Sequence, residues 1–303
     1  MTGEPARYAG RFAPSPSGPL HFGSLLAAVA SYGQALINNG RWLVRIEDID
    51  PPREQPGADE QILKTLESYG FEWDGPATYQ SGFTTRHEAL VAKLLQEGGA
   101  FPCSCSRRDM ADLPRGALGA IYPGTCRQGC LPGDFAIRVQ VDDKPVEFED
   151  RLQGRIQQRL QSESGDFIIK RRDGLIAYHL AVVVDDFDQG ITEVVRGIDL
   201  MDSTPRQIFL QRRLGFTTPT YLHIPVAMNA EGQKLSKLTG ARAIDSHDTG
   251  ATLHLALRCL NQDPPAELLQ ADNRTIWDWV SGNWDPTPLQ GHTSIPPERH
   301  GYG

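Results

Sequence analysis

A chain of 303 residues with 39% hydrophobic and 22% charged side chains can bury one large core or two smaller ones and reads as a globular protein. No apolar run approaches the ~20 residues of a membrane span, and Met1-Thr-Gly-Glu has neither the basic nor the apolar part of a secretory leader, so a cytoplasmic protein is expected. A net charge of −8 excludes recruitment of nucleic acid by the overall field and leaves that role to a local basic patch.

The first informative stretch is Arg11-Phe-Ala-Pro-Ser-Pro-Ser-Gly-Pro-Leu-His21-Phe-Gly23-Ser24. Its prolines fix backbone φ, and its glycines allow shapes or approaches that a side chain would block. Leu25, Val29, Tyr32 and Leu36 then follow at helical spacing up to Gly40, which puts Gly23 and Ser24 at a helix N-terminus. Such a terminus attracts phosphate, and His21 stands at its mouth. Residues 42 to 48 read as a buried strand whose charges, Glu47 and Asp48, gather at the carboxyl end, where an open parallel sheet holds its ligand. Two helices follow, over 58 to 69 (Ile62, Leu63, Leu66, Tyr69) and 84 to 97 (Leu90, Val91, Leu94, Leu95).

Residues 99 to 133 turn loop-rich and hold four of the five cysteines. In a reducing compartment that crowding favours a metal over disulfides, and zinc supplies the folding energy a thin core lacks. Spacing alone nominates Cys103, Cys105, Cys126 and Cys130, with Cys259 a core residue of a later helix. Alternation over 135 to 149 predicts one half-exposed strand, and 167 to 196 predict a hairpin turned at Asp173-Gly174. After the turn comes a buried strand through Val182 to Val184, entered by Tyr178 and His179 and left by Asp185 and Asp186. Lys170, Arg171 and Arg172 form either a solvated edge or a contact for a phosphate backbone. A helix from Ser203-Thr204-Pro205 runs to Gly215, and after the turn at Gly232 come Lys234-Leu-Ser236-Lys237-Leu, which can present two ammonium groups and a hydroxyl together. Helices near 250 to 261 and 273 to 284 precede a tail, 285 to 303, read as mobile.

Taken together, His21-Phe-Gly23-Ser24 and Lys234-Leu-Ser-Lys237-Leu resemble the two signature motifs of class I aminoacyl-tRNA synthetases. Arg-Phe-Ala-Pro-Ser-Pro-Ser-Gly before the first, Arg-Ile-Glu-Asp-Ile-Asp on the second strand, and Val-Val-Val-Asp-Asp and Val-Val-Arg-Gly in the middle make residues 7 to 240 similar to the glutamyl-tRNA synthetase catalytic domain. The resemblance implies an α/β, Rossmann-like catalytic domain with a zinc-containing α+β insertion and a short helical C-terminal region. It divides the chain into catalytic halves at 1–98 and 166–240, an insertion at 99–165, helices at 241–284 and a tail at 285–303.

Only some sixty residues remain where the glutamyl enzymes continue into a large anticodon-binding region. That brevity, with Cys-X-Cys and Tyr-X-X-X-Cys, resembles the branch of the family that attaches glutamate to queuosine in the anticodon loop of tRNA(Asp). The branch's zinc pattern falls on Cys103, Cys105, Tyr122 and Cys126, with Tyr122 in place of Cys130. The resemblance further implies ATP with Mg2+ at His21, Gly23, Ser24, Lys234, Ser236 and Lys237, with His21 and Lys237 catalytic. It places L-glutamate among Arg11, Ala13, Ser15, Glu47, Tyr178 and Arg196, an arginine there being suited to bidentate pairing with a carboxylate. One departure is Val182, where ordinary glutamyl enzymes often present a polar residue. A monomer is expected. Two other readings stay open at this point: a shortened enzyme charging tRNA(Glu), and a non-catalytic RNA-binding paralogue.

Overall fold

The computed structural model describes residues 7–235, 242–244 and 247–301. Strand β1 (Ala9–Phe12) leads through the proline-rich loop into α1 (Phe22–Ile37), and β2 (Arg41–Ile46) returns parallel to β1 with Arg11 opposite Leu43. Helix α1 is apolar nearly all round, as a helix must be when it lies between a sheet and other helices. After α2 (Ala58–Ser68), the two-residue β3 (Thr78–Tyr79) extends this half of the sheet beside β2. Helix α3 (Thr84–Gln96) and β4 (Ala100–Cys103) close the first half of the chain.

The middle of the chain contains the small hairpin β5 (Arg115–Gly116) and β6 (Gly119–Ala120), then β7 (Ala136–Val139), β8 (Pro145–Asp150), β9 (Gly154–Arg159), the single turn α4 (Leu160–Glu163) and β10 (Phe167–Lys170). The second half of the sheet uses β11 (Glu193–Gly197) and β12 (Thr220–Ile224), separated by α6 (Thr204–Leu214), with α5 (Tyr178–Asp188) before them. β11 pairs parallel with β12 and β12 with β8, while β9 is antiparallel to β8. The halves meet where the Thr192 amide donates to the Ala9 carbonyl at 2.9 Å, so β1 and β11 are neighbours although their chain connections leave in opposite directions. Their carboxyl ends therefore frame the crevice in which a doubly wound sheet binds ligands.

Three expectations are corrected. The apolar run expected as a buried strand is α5, because Leu180 to Val184 and the two aspartates after them are all buried, which erases the periodicity that would tell helix from strand. The single strand expected over 135 to 149 is two: β7 lies between β4 and β10 in an antiparallel sheet, and β8 joins the main sheet. The boundary expected near 165 is thus crossed in both directions by the sheets. Finally, residues 285–301 are packed and not loose: β14 (Ser294–Ile295) pairs with β13 (Val226–Ala227), and Leu289 and Ile295 are buried.

The remaining helices, α7 (Thr249–Cys259) and α8 (Asn273–Asn283), pack on α1 and complete a core with Phe12, Trp42, Phe71 and Trp277, and Cys259 is buried as expected. A second core lies between α3, α5, α6 and strands β7, β8, β10 and β11. Among the described residues the third is only Phe101, Cys103, Tyr122 and Cys126, too few side chains to hold a module by apolar burial.

Candidate active site

His21 caps α1 with its own ring. Nδ1 accepts the Ser24 amide at 3.2 Å, so the neutral imidazole carries its proton on Nε2, 3.1 Å from the Ser24 hydroxyl. The glycine two residues on is where the two sequence motifs touch. A Cβ at Gly23 would lie 3.1 Å from His21 Cε1 and 3.3 Å from the Leu235 carbonyl oxygen, tighter than ordinary packing. The Leu235 amide in turn donates to Ala227 at 2.7 Å, and His21 pairs in antiparallel fashion with Ala243. His21, Gly23 and Ser24 are thus brought beside the start of Lys234-Leu235, and the Lys234 ammonium is paired with Asp199. Ser236 and Lys237 lie outside the described residues.

Beneath this mouth lies a buried ionic floor. Arg45, wholly buried on β2, reaches Asp186 of α5 at 2.7 Å, Glu47 at 3.4 Å and Gln189 at 2.6 Å. Arg11 donates through Nε to the same Asp186 oxygen at 3.1 Å. Burial pushes Glu47 up to about 6, with Arg45 and Arg11 acting against the rise. For Asp186 the balance reverses: burial opposes its charge, but Arg11 and Arg45 outweigh it and hold the carboxyl below its ordinary value. Behind it, Asp185 accepts from Gln80 at 2.7 Å and sits 2.6 Å from His87 Nε2.

Tyr178 and Arg196 close the opposite side. Burial raises the Tyr178 hydroxyl, with Arg196 and Arg11 acting against the rise and Glu47 and Asp186 adding to it, so these charges all lie near it. Arg196 is buried at the end of β11 and donates to His223, Thr204 and Gln207, with Tyr178 at 3.4 Å. These partners are all neutral acceptors, and among the described residues no carboxylate forms an ion pair with Arg196. Ala13 and Ser15 lie on the loop above, tied down where the Glu47 amide donates to Pro14 at 2.9 Å. Of the expected residues, Arg11, Glu47, Tyr178 and Arg196 converge. Arg45, Asp185, Asp186, His87 and Gln80 were not anticipated. The signal available was an arginine inside the apolar run Val44-Arg45-Ile46 and paired aspartates directly after Val184, each requiring a buried partner.

The second cluster lies in the middle of the chain. The Sγ atoms of Cys103, Cys105 and Cys126 all lie within 4.8 Å of one another. Tyr122 Oη is 3.5 Å from Cys103 Sγ and 3.7 Å from Cys105 Sγ, and accepts the Cys126 amide at 2.8 Å. A tetrahedral zinc with bonds of about 2.3 Å spaces its sulfurs ~3.8 Å apart, so these donors fit that ion. The Cys105–Cys126 separation is 3.6 Å. Burial pushes the Cys105 thiol up to about 11; at Cys126 burial opposes the charge, but its hydrogen bonds to Tyr122, Ser104, Cys105 and Cys103 together outweigh burial and bring the thiol down to about 7. Arg138 lies 4.1 Å above the Tyr122 ring and donates to Cys103 Sγ at 3.3 Å. Cys130 packs against the outside of this group. Lys170, Arg171 and Arg172 all have internal partners: Glu88, the pair Asp50 and Asp173, and the carbonyls of Ser104 and Cys105.

No helix among the described residues is long and apolar enough to cross a membrane. Residues 9–257 match the family model described as tRNA synthetases class I (E and Q), catalytic domain. The chain is 50% identical over 293 residues to a glutamyl-Q tRNA(Asp) synthetase of Pseudomonas aeruginosa, covering 96% of this chain and 98% of that one. It is 52% identical to the protein of that name from Ectopseudomonas mendocina, over 92% and 93% of the two chains. Among solved structures, a glutamate tRNA ligase from Elizabethkingia meningosepticum in complex with its amino acid superposes with a TM-score of 0.76 at 20% identity, over 97% of this chain and 68% of that one. That likeness establishes the fold.

Proposed function

The chain belongs to the catalytic-domain family of class I tRNA synthetases for glutamate and glutamine, and from that membership we propose that it activates L-glutamate with ATP and transfers it to queuosine in the anticodon loop of tRNA(Asp). The transfer target follows the name carried by relatives that match the chain nearly end to end. In the first step the glutamate α-carboxylate attacks the α-phosphate and pyrophosphate leaves; in the second a hydroxyl of the modified nucleoside gives up its proton and takes the glutamyl group, and AMP leaves. No covalent enzyme nucleophile is required, so positioning and charge stabilisation carry the chemistry.

The supporting observation is the polarity of the pocket. On one side Asp186 takes both Arg11 and Arg45 while Glu47 meets Arg45 at 3.4 Å, and on the other no carboxylate among the described residues pairs with Arg196. An α-ammonium completes the first pole at Glu47 and a carboxylate completes the second at Arg196 with Tyr178. We assign the side-chain carboxylate to Arg196 because an uncompensated cation separates glutamate from the neutral amide of glutamine. This contact is end-on, since Nε and Nη2 of Arg196 are already occupied. Among the described residues Arg11 is spent on Asp186 through Nε alone, so its two Nη groups present the bidentate fork. Ala13 and Ser15 form the wall above.

ATP with Mg2+ is assigned to the mouth where Gly23 meets Leu235. The α1 N-terminus, His21 Nε2–H and the Ser24 hydroxyl face the phosphates, and Lys234 exchanges Asp199 for phosphate oxygen. Lys237 and Ser236 are assigned from the motif, Lys237 neutralising charge on the leaving pyrophosphate. Zinc held by Cys103, Cys105, Cys126 and Tyr122 shapes the insertion that meets the RNA.

Labelled glutamate and ATP, offered with tRNA(Asp) carrying or lacking queuosine and with tRNA(Glu), test the reading. Label on the queuosine-containing tRNA alone is expected. Label on tRNA(Glu) alone would mean a shortened glutamyl-tRNA synthetase, and absence of both label and adenylate would mean an RNA-binding paralogue. The touching phosphate motifs weigh against the last, since a binding module has no use for both.

A further inference from the structure

Behind Arg196 stands a line of buried groups whose protons can be placed one after another. Asp150, at the end of β8, accepts the amides of Leu152 and Gln153 at 3.0 Å each and the His223 amide at 3.2 Å. With its charge also favoured by His223, the carboxyl lies below its ordinary value despite burial, so it only accepts. His223 Nδ1, 2.6 Å away, must therefore carry a proton. Burial lowers the imidazole's own affinity for a second proton, which leaves Nε2 bare. Arg196 Nε, which can only donate, faces that bare nitrogen at 3.1 Å. Thr204 and Gln207 then occupy Nη2 at 2.7 and 2.8 Å. Nη1, turned toward Tyr178, is the corner left for a substrate.

We propose that Asp150 and His223 are positioning residues for the amino-acid pocket: the carboxylate fixes the Nδ1–H tautomer of His223, whose Nε2 accepts from Arg196 and aims its Nη1 at the substrate carboxylate. The logic is that of any acid that orients an imidazole, with a guanidinium in the place usually taken by a nucleophile. Both residues are almost completely buried, and His223 Nε2 also lies 3.2 Å from the Thr204 hydroxyl that accepts from Arg196 Nη2, so their effect passes through Arg196 and its partner Thr204.

This inference rests on the glutamate pocket proposed above. Asp150→Asn is the sharpest variant. It preserves size and can still accept the loop amides, yet its amide donates toward His223, forces the other tautomer and sets an N–H against Arg196 Nε–H. Glutamate-dependent exchange of pyrophosphate into ATP is measured on the full chain. Asp150→Asn is expected to raise the KM for glutamate about tenfold or more, with kcat, the KM for ATP and the Tm much less affected. His223→Gln supplies a carbonyl acceptor and is expected to stay closer to the parent than His223→Leu. An unchanged glutamate KM in Asp150→Asn, or equal damage from the two His223 variants, overturns the proposal. Arg196→Gln separates the levels: if it too leaves glutamate KM unchanged, the pocket assignment itself has failed, and if it alone raises KM, only the positioning role has.

Discussion

The ionic floor under the pocket and the cysteine cluster of the insertion are both knots of titratable groups, but they are assembled on opposite rules. The floor brings unlike charges together, Arg45 and Arg11 against Asp186 and Glu47, and sits inside a large core. The insertion brings like donors together, three thiols and a phenol, with Arg138 their nearby cation and four buried side chains for a core. A knot of opposites is nearly finished when the chain folds. A knot of likes is an arrangement that a bound cation would complete.

Breaking the metal side should have the largest effect. Zinc binding by small modules involves on the order of 10 kcal/mol, so Cys126→Ser or chelation is expected to abolish bound zinc and open residues 99–133 to protease while the sheet stays folded. Survival of the insertion without metal would erase the contrast. Next comes Arg45→Met, which leaves buried carboxylates with one cation fewer and is expected to cost about 3–5 kcal/mol in denaturant unfolding. Glu47 tests how nearly finished the floor is. Its folded pKa is raised from 4.5 to about 6, so the folded chain holds the proton more tightly; the resulting penalty is absent below 4.5 and complete above 6. Glu47→Gln is therefore expected to gain up to about 2 kcal/mol of stability at pH 8 but none at pH 4. Over the same window glutamate KM should rise as pH falls below about 6 in the parent, because the ammonium loses its carboxylate, and that step should vanish in the variant. The smallest effect belongs to the half-exposed Arg171, where replacing it by Ala should change stability by no more than about 1 kcal/mol.

The sequence was most legible where chemistry is local. His21, Gly23 and Ser24 could be placed at a helix start because caps and glycine turns are written in neighbouring residues, and α1, α2, α3, α6, α7 and α8 fell within a few positions of their expected ends. It was least legible where a segment is buried on all sides. Helix α5 lost its period because Asp185 and Asp186 are as buried as Val183, and they are buried only because partners from α3, β1 and β2 neutralise or hydrogen-bond them. Those partners lie about a hundred residues or more away, so no window of sequence contains the reason. The same holds for the packed stretch 285–301: its prolines and histidines read as a loose end until β13 supplies a strand to pair with.

That pairing makes residues 294–300 part of the mouth where Gly23 meets Leu235. Ala227 faces Ile295 on one side and accepts the Leu235 amide on the other, while His300 Nε2 sits 3.0 Å from the Met228 carbonyl. The last described residues act as a splint on the hairpin that carries Lys234. On the proposed assignment, a protease cut near 285 is expected to loosen the hairpin that carries Lys234 and weaken nucleotide binding while leaving the ionic floor of Arg45 and Asp186 in place.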